Sequence, residues 1–133
     1  MSDTPFSDLG AADPTTEAFW AACAQHRLIV QRCRACGTHQ HYPRPYCLTC
    51  DGRDMDWAEA TGQGVIHALT VMRLPVVADL PPPYQLALVD LDEGVRMLTN
   101  INGLTARIGD RVTLHWRDRE GGLPPLPVFA VVA

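Results

Sequence analysis

The sequence predicts a mainly β protein with one short helix near its start, a cysteine-held ribbon in its first half and a small β-barrel in its second. Three observations carry that expectation. Four cysteines stand as two pairs, Cys33/Cys36 and Cys47/Cys50, with two residues inside each pair and ten between the pairs. From Gly62 onward, β-branched and other apolar residues recur with the period of two that strands require. Turn residues punctuate those runs at Asp92-Glu93-Gly94, Ile108-Gly109-Asp110 and Gly121-Gly122.

The elements follow in order. Residues 1–12 are small, polar and acidic, and are expected to form a loose tail. Asp13-Pro14 reads as a helix start, with Asp13 as N-cap and Pro14 at the first helical position. A helix from Thr15 to about Gln25 carries Phe19, Trp20 and Cys23 on one apolar stripe, with Cys23 as a buried thiol. Leu28–Gln31 is a short strand leading into the cysteine module. Residues 53–61 read as a connector with Trp57 as its one large apolar residue. Strands are then expected at Gly64–Arg73, Tyr84–Leu91, Val95–Ile101, Arg111–Trp116 and Val128–Val132. Four prolines between residues 74 and 83 exclude a central strand there. Gly94 supplies the positive φ of a hairpin turn. Five short strands with one long interruption are most simply closed as a five-stranded OB-fold barrel. The expected division is 1–27 for tail and helix, 28–53 for a rubredoxin-like zinc ribbon and 54–133 for the barrel.

Length and charge narrow the function. A chain of 133 residues with 47% hydrophobic residues can bury a core without disulfides. The formal net charge is −4, so the chain as a whole is not built to seek nucleic acid or an anionic membrane. The charge is unevenly spread. Residues 26–53 hold Arg27, Arg32, Arg34, Arg44 and Arg53 against Asp51 alone, a local anion-binding surface or a solvated face. From residue 54 the chain is acidic. No apolar run is long enough to span a bilayer, and no basic start precedes an apolar stretch. The expected location is cytoplasmic, where five cysteines point to metal or free thiols.

The paired cysteines carry the chemistry. Two intervening residues let both thiolates of a pair face one ion from a tight turn. Two such turns supply the sulfur tetrahedron that structural zinc prefers. Gly37 and Gly52 follow the pairs and can take the positive φ a knuckle turn often needs. Iron in a rubredoxin-like site has the same ligand set and stays open as an alternative. His39 and His41 lie between the pairs and read as surface residues of the ribbon hairpin. Four cysteines close the shell, so the metal staples the segment and performs no catalysis. No catalytic residues are assigned elsewhere. His67 and His115 lie on expected strands, with His115 facing solvent. Asp90 and Asp92 share one strand face at a hairpin end, and no nucleophile elbow or phosphate-binding glycine loop is present.

The stretches "LIVQRCRAC" (Leu28–Cys36), "HYPRPYCLTC" (His41–Cys50), "GQGVIHALTV" from Gly62, "YQLALVDLDEGVRMLTNINGL" from Tyr84 and "IGDRVTLHW" from Ile108 occur in a distinctive order. That order resembles the Zn-ribbon/OB-fold family of acyl-CoA-associated proteins, long catalogued as a domain of unknown function. The likeness covers about residues 17–132. Some relatives have lost ribbon cysteines, and this chain keeps all four. The usual glycine after the second pair is displaced to Gly52, with Asp51 between. The resemblance implies a non-catalytic companion subunit of a thiolase-like enzyme, either a thiolase or an aldolase cleaving steroid side-chain CoA thioesters. It implies an acyl-CoA ligand, a thiolase-like partner, and catalytic residues on that partner. Arginine binds phosphate bidentately, so Arg34 and Arg44 are the candidate contacts to CoA or the partner, with Tyr46 and Trp57 as aromatic anchors. The remaining readings are a nucleic-acid-binding module, against which the acidic barrel argues, and a free-standing acyl-CoA enzyme using His67, His115 or Asp90/Asp92.

Overall fold

The computed structural model describes residues 14–76 and 80–132. It is mainly β with one short helix, as the sequence predicts. Helix α1 runs over Glu17–Ala24, starting later than expected, with Thr16 at the N-cap position and Pro14 and Thr15 in the turn before it. The expected cap Asp13 and the tail 1–12 lie outside the described residues. The helix buries Phe19, Ala22 and Cys23. Trp20, expected on the same stripe, is half-buried, and its indole N–H donates to the Tyr42 hydroxyl at 3.1 Å. His26 ends the helix at φ 57°. Its N–H donates to Cys23 O and that of Arg27 to Ala22 O, the paired closure usually built around glycine. Burial pushes the Cys23 thiol up to about 12, which leaves it protonated and inert.

The ribbon is a three-stranded antiparallel sheet in the order β2–β1–β3. These strands are β1 (Ile29–Cys33), β2 (His39–Gln40) and β3 (Met55–Glu59). The segment 53–61, expected as a connector, therefore contains a strand. It is aligned by β1, in the register Ile29↔Glu59 through Cys33↔Met55. A short mixed run such as Met-Asp-Trp-Ala-Glu, with residues that disfavour strands at Asp, Ala and Glu, shows little strand character until a neighbour supplies the ladder.

The barrel comprises β4 (Gln63–Met72), β5 (Tyr84–Leu91), β6 (Arg96–Ile101), β7 (Arg111–Arg117) and β8 (Leu126–Val131), closed in the order β4–β5–β6–β8–β7. All five expected strands are present, and β5 has the expected limits. The β5–β6 hairpin turns at Gly94 with φ 89°. At Gly64 the strands approach too closely for a side chain: a Cβ would lie 2.6 Å from Asp90 O. On β7, Val112 is buried and His115 exposed, as the alternation predicts. Ile66, Val89, Val112 and Phe129 fill the interior at 1% exposure or less. Phe19, Cys23, Leu28 and Val30 join the same core, so α1 and the start of β1 are seated on the barrel. Among the described residues, no helix is long and apolar enough to cross a membrane.

Candidate metal centre and adjoining surfaces

Two turns of the same design place the four sulfurs. Strand β1 ends on Cys33, whose N–H donates to Thr38 O and whose carbonyl accepts from Gly37 N–H at 2.8 Å. The second turn repeats this: Cys47 N–H donates to Gly52 O, and Asp51 N–H donates to Cys47 O at 2.9 Å. In each turn the residue directly after the second cysteine takes positive φ, 76° at Gly37 and 62° at Asp51. This corrects the expectation for Gly52. Asp51 takes the left-handed position itself, as short polar residues can. Gly52 is required for space, because a Cβ there would lie 3.2 Å from Cys50 Sγ and 3.7 Å from Cys33 Sγ.

The four sulfurs lie within 4.8 Å of one another. Cys33 and Cys50 Sγ are 3.6 Å apart, and Cys36 and Cys47 Sγ are 3.7 Å apart. A tetrahedral ion with metal–sulfur bonds of about 2.3 Å needs sulfurs about 3.8 Å apart, so the cluster has the size of a zinc tetrahedron. Thr49 N–H points at Cys47 Sγ (3.4 Å) and the Thr38 hydroxyl lies 3.3 Å from Cys36 Sγ, both able to donate to thiolate. Cys33 and Cys47 are fully buried, while Cys36 and Cys50 are exposed.

Residues 20–56 match the family model described as "ChsH2, rubredoxin-like zinc ribbon domain", and residues 57–117 match "ChsH2, C-terminal OB-fold domain". In the solved structure titled "Ltp2-ChsH2(DUF35) aldolase", one chain is similar over 91% of this chain and 97% of its own length, with 37% identity and a TM-score of 0.82. The chain belongs to the ChsH2-type DUF35 family. Among curated relatives, a "probable enoyl-CoA hydratase alpha subunit" of Thermomonospora curvata is 41% identical over 84% of this chain. A "3-oxo-4,17-pregnadiene-20-carboxyl-CoA hydratase alpha subunit" of Mycobacterium tuberculosis is 33% identical over 66% of it. A "DUF35 domain-containing scaffold protein" of Pyrococcus furiosus is 33% identical over 58% of it. This chain spans 36%, 28% and 57% of the lengths of those three proteins. The ChsH2-type ribbon thus holds a single four-cysteine zinc site, a closed shell that fixes the fold of the ribbon.

The residues expected to contact CoA or a partner are dispersed over this ribbon. Arg34 lies 3.3 Å from Asp54 and 3.5 Å from Asp56. The Trp57 N–H and then Arg34 hold the Asp56 carboxyl below its usual value. Tyr46 is exposed. Arg44 and Trp57 do come together, around a cavity of about 340 Å³ that Arg53, Met55 and Gln31 also line. Arg34 and Tyr46 are not part of that lining.

Sequence reasoning missed what holds Arg44. The buried Gln31 side chain accepts from Arg44 N–H at 2.8 Å and donates to Arg44 O at 2.7 Å. Gln40, also buried, donates to Gln31 Oε1 and to Tyr46 O and accepts from Leu48 N–H. Two glutamines therefore supply the loop 41–48 with the partners a neighbouring strand would give. The available signal was a glutamine on each of two short strands facing a proline-flanked loop.

His41 corrects a second expectation. It is half-buried against Phe19, with ring centroids 5.2 Å apart, and its Nδ1 is buried without a hydrogen-bond partner. Burial, and then the Arg44 charge, push its pKa down to about 4. The carboxylate pair is taken up by arginines: Arg96 Nε donates to Asp90 at 2.7 Å, and Arg111 lies 3.2 Å from Asp92. Arg96 holds the Asp90 carboxyl below its usual value. His67 Nδ1 is 3.7 Å from Asp90.

Proposed function

We propose that this chain is a non-catalytic companion subunit of an enzyme acting on CoA thioesters, with a thiolase-fold protein as its partner. The likeness carrying this reading is the near end-to-end match, at 37% identity, to a chain of the Ltp2-ChsH2(DUF35) aldolase. The relative named a scaffold protein supports an auxiliary role, and the two named hydratase alpha subunits support a CoA-thioester substrate. The pregnadiene-carboxyl-CoA relative makes steroid side-chain degradation the first pathway to test.

On this reading the ribbon presents the contact surface. Arg44, clamped by Gln31 and flanked by Pro43 and Pro45, and Arg53 face the cavity beside Trp57. Two guanidinium groups and an indole suit a phosphate-bearing planar group such as the nucleotide end of CoA. Arg34 and Tyr46, exposed on the same ribbon, suit the partner subunit. Of the side chains a free-standing enzyme would use, Asp90 and Asp92 are engaged instead in ion pairs with Arg96 and Arg111.

The test is co-expression with candidate thiolase-fold proteins, followed by co-purification and a CoA-thioester cleavage assay. The partner alone should be inactive or weakly active and should gain activity on adding this chain. Turnover by this chain alone, or a partner that neither binds it nor responds to it, would contradict the reading.

A further inference from the structure

The helix, the ribbon and the barrel meet around a cavity of about 630 Å³. Helix α1 contributes Phe19 and Trp20, the loop after β2 contributes His41 and Tyr42, and β6 contributes Met97 and Leu98. The aromatic part of this wall is braced from several directions. Phe19 meets Trp20 edge-on with ring centroids 5.0 Å apart, and Tyr42 at 6.0 Å. The Trp20 indole N–H donates to the Tyr42 hydroxyl, and the Arg119 guanidinium lies 5.5 Å from the Trp20 ring centroid. The rings are thus fixed by the protein itself, as the walls of small-molecule sites mostly are. The volume also falls within the roughly 300–1,000 Å³ of such sites.

The lining carries no uncompensated charge. Its one guanidinium, that of Arg96, is paired with Asp90 at 2.7 Å. His41 is neutral at ordinary pH, because burial and then the Arg44 charge hold its pKa near 4. Water in a space so lined finds few hydrogen-bond partners, and Leu98 stays 62% exposed beside it. One polar group is held ready: the Tyr42 hydroxyl accepts from Trp20 and keeps its own proton to donate, with no acceptor for it among the described residues. This cavity shares no lining residue with the one at Arg44 and Trp57.

We propose that this cavity binds a neutral, flat ring compound whose carbonyl oxygen accepts a hydrogen bond from the Tyr42 hydroxyl. Flat rings stack on, or meet edge-on, the faces that Phe19, Trp20 and Tyr42 present. A flexible chain would fill the same volume but would lose more conformational freedom on binding. An anion would leave water without gaining an unpaired cation in exchange. A carbonyl supplies the acceptor that the Tyr42 proton lacks. Such binding is independent of the companion-subunit reading, since it involves neither Arg44 nor a partner enzyme.

Methyl-labelled methionine NMR of the zinc-loaded full chain provides the test, because Met97 lines this cavity and Met55 lines the other. The probes are fluorenone, fluorene and fluorenone carboxylate, which share one flat ring system. The Met97 methyl signal, assigned with Met97→Leu, should shift saturably with fluorenone while that of Met55 stays in place. Fluorene, which lacks the carbonyl, should bind roughly fivefold more weakly. Fluorenone carboxylate should bind about tenfold more weakly or worse. Tyr42→Phe should bring fluorenone down to the affinity of fluorene and leave fluorene unchanged. CoA contact at Arg44 would be read at Met55, so the two readings fail separately. A Met97 signal indifferent to fluorenone would overturn the proposal. So would equal affinity of the parent for fluorenone and fluorene, or a carboxylate that binds as tightly as the ketone.

Discussion

The ribbon and the barrel are both small antiparallel structures, yet they are held by different means. Between Gln31 and Glu59 no residue belongs to the buried apolar core, although Trp57 packs against it, and the buried side chains there are Gln31, Cys33, Gln40, Pro43 and Cys47. The barrel has the opposite interior, with Ile66, Val89, Val112 and Phe129 almost fully enclosed. A segment too small to bury apolar surface substitutes sulfur–metal bonds and amide networks for it. The difference teaches where each perturbation should be felt: metal chemistry in the ribbon, volume changes in the barrel.

The largest single-site effect should come from the metal shell. Cys47→Ser should purify with little or no zinc by elemental analysis, and residues 33–53 should lose amide protection. The apparent stabilisation from structural zinc in small modules is on the order of 10 kcal/mol. Barrel protection should survive, and a barrel that also collapsed would erase the contrast. Next in size is Phe129→Ala. It removes a fully buried ring and should lower stability by about 3–5 kcal/mol in urea melts, with zinc stoichiometry unchanged in the remaining native fraction.

His41 links the two regions, because its ring packs on Phe19 in the shared core. Its folded pKa is near 4 against an ordinary 6.5, so on acidification the unfolded chain takes the proton first. The His41 contribution to stability is therefore full above about 6.5 and falls as pH drops toward 4. It totals on the order of 3 kcal/mol at about 1.4 kcal/mol per pKa unit. His41→Phe should show a flatter dependence than the parent through that window in pH-resolved denaturation. Parallel curves would show that burial does not hold His41 neutral. Smaller still is Gln31→Ala, which strips the Arg44 N–H and carbonyl of their partners. About 1–3 kcal/mol of local stability should go, read as faster amide exchange over residues 41–48 with barrel exchange unchanged.

The same contrast explains what could be read from the sequence. The sulfur cluster was legible because its spacing is local: two residues within each turn set the geometry. The barrel strands were legible because apolar and polar residues alternate in the sequence of Arg111–Arg117 and every second side chain of Tyr84–Leu91 is buried. Strand β3 was not, since its short mixed run becomes a strand only against β1. His41 looked like a surface residue because the side chain that covers it, Phe19, is 22 positions away and arrives with the helix. Asp51 in the place of a knuckle glycine was visible, but the division of work was not. The φ requirement fell on Asp51, and the space requirement on Gly52.

Chelation of the full chain, followed by residue-resolved hydrogen exchange, tests the central claim most directly. Removing zinc should abolish protection across the two cysteine turns and the 41–48 loop while β4–β8 keep theirs, and adding zinc back should restore the ribbon. Loss of protection in both regions at the same chelator concentration, or no loss in the ribbon, would contradict the account.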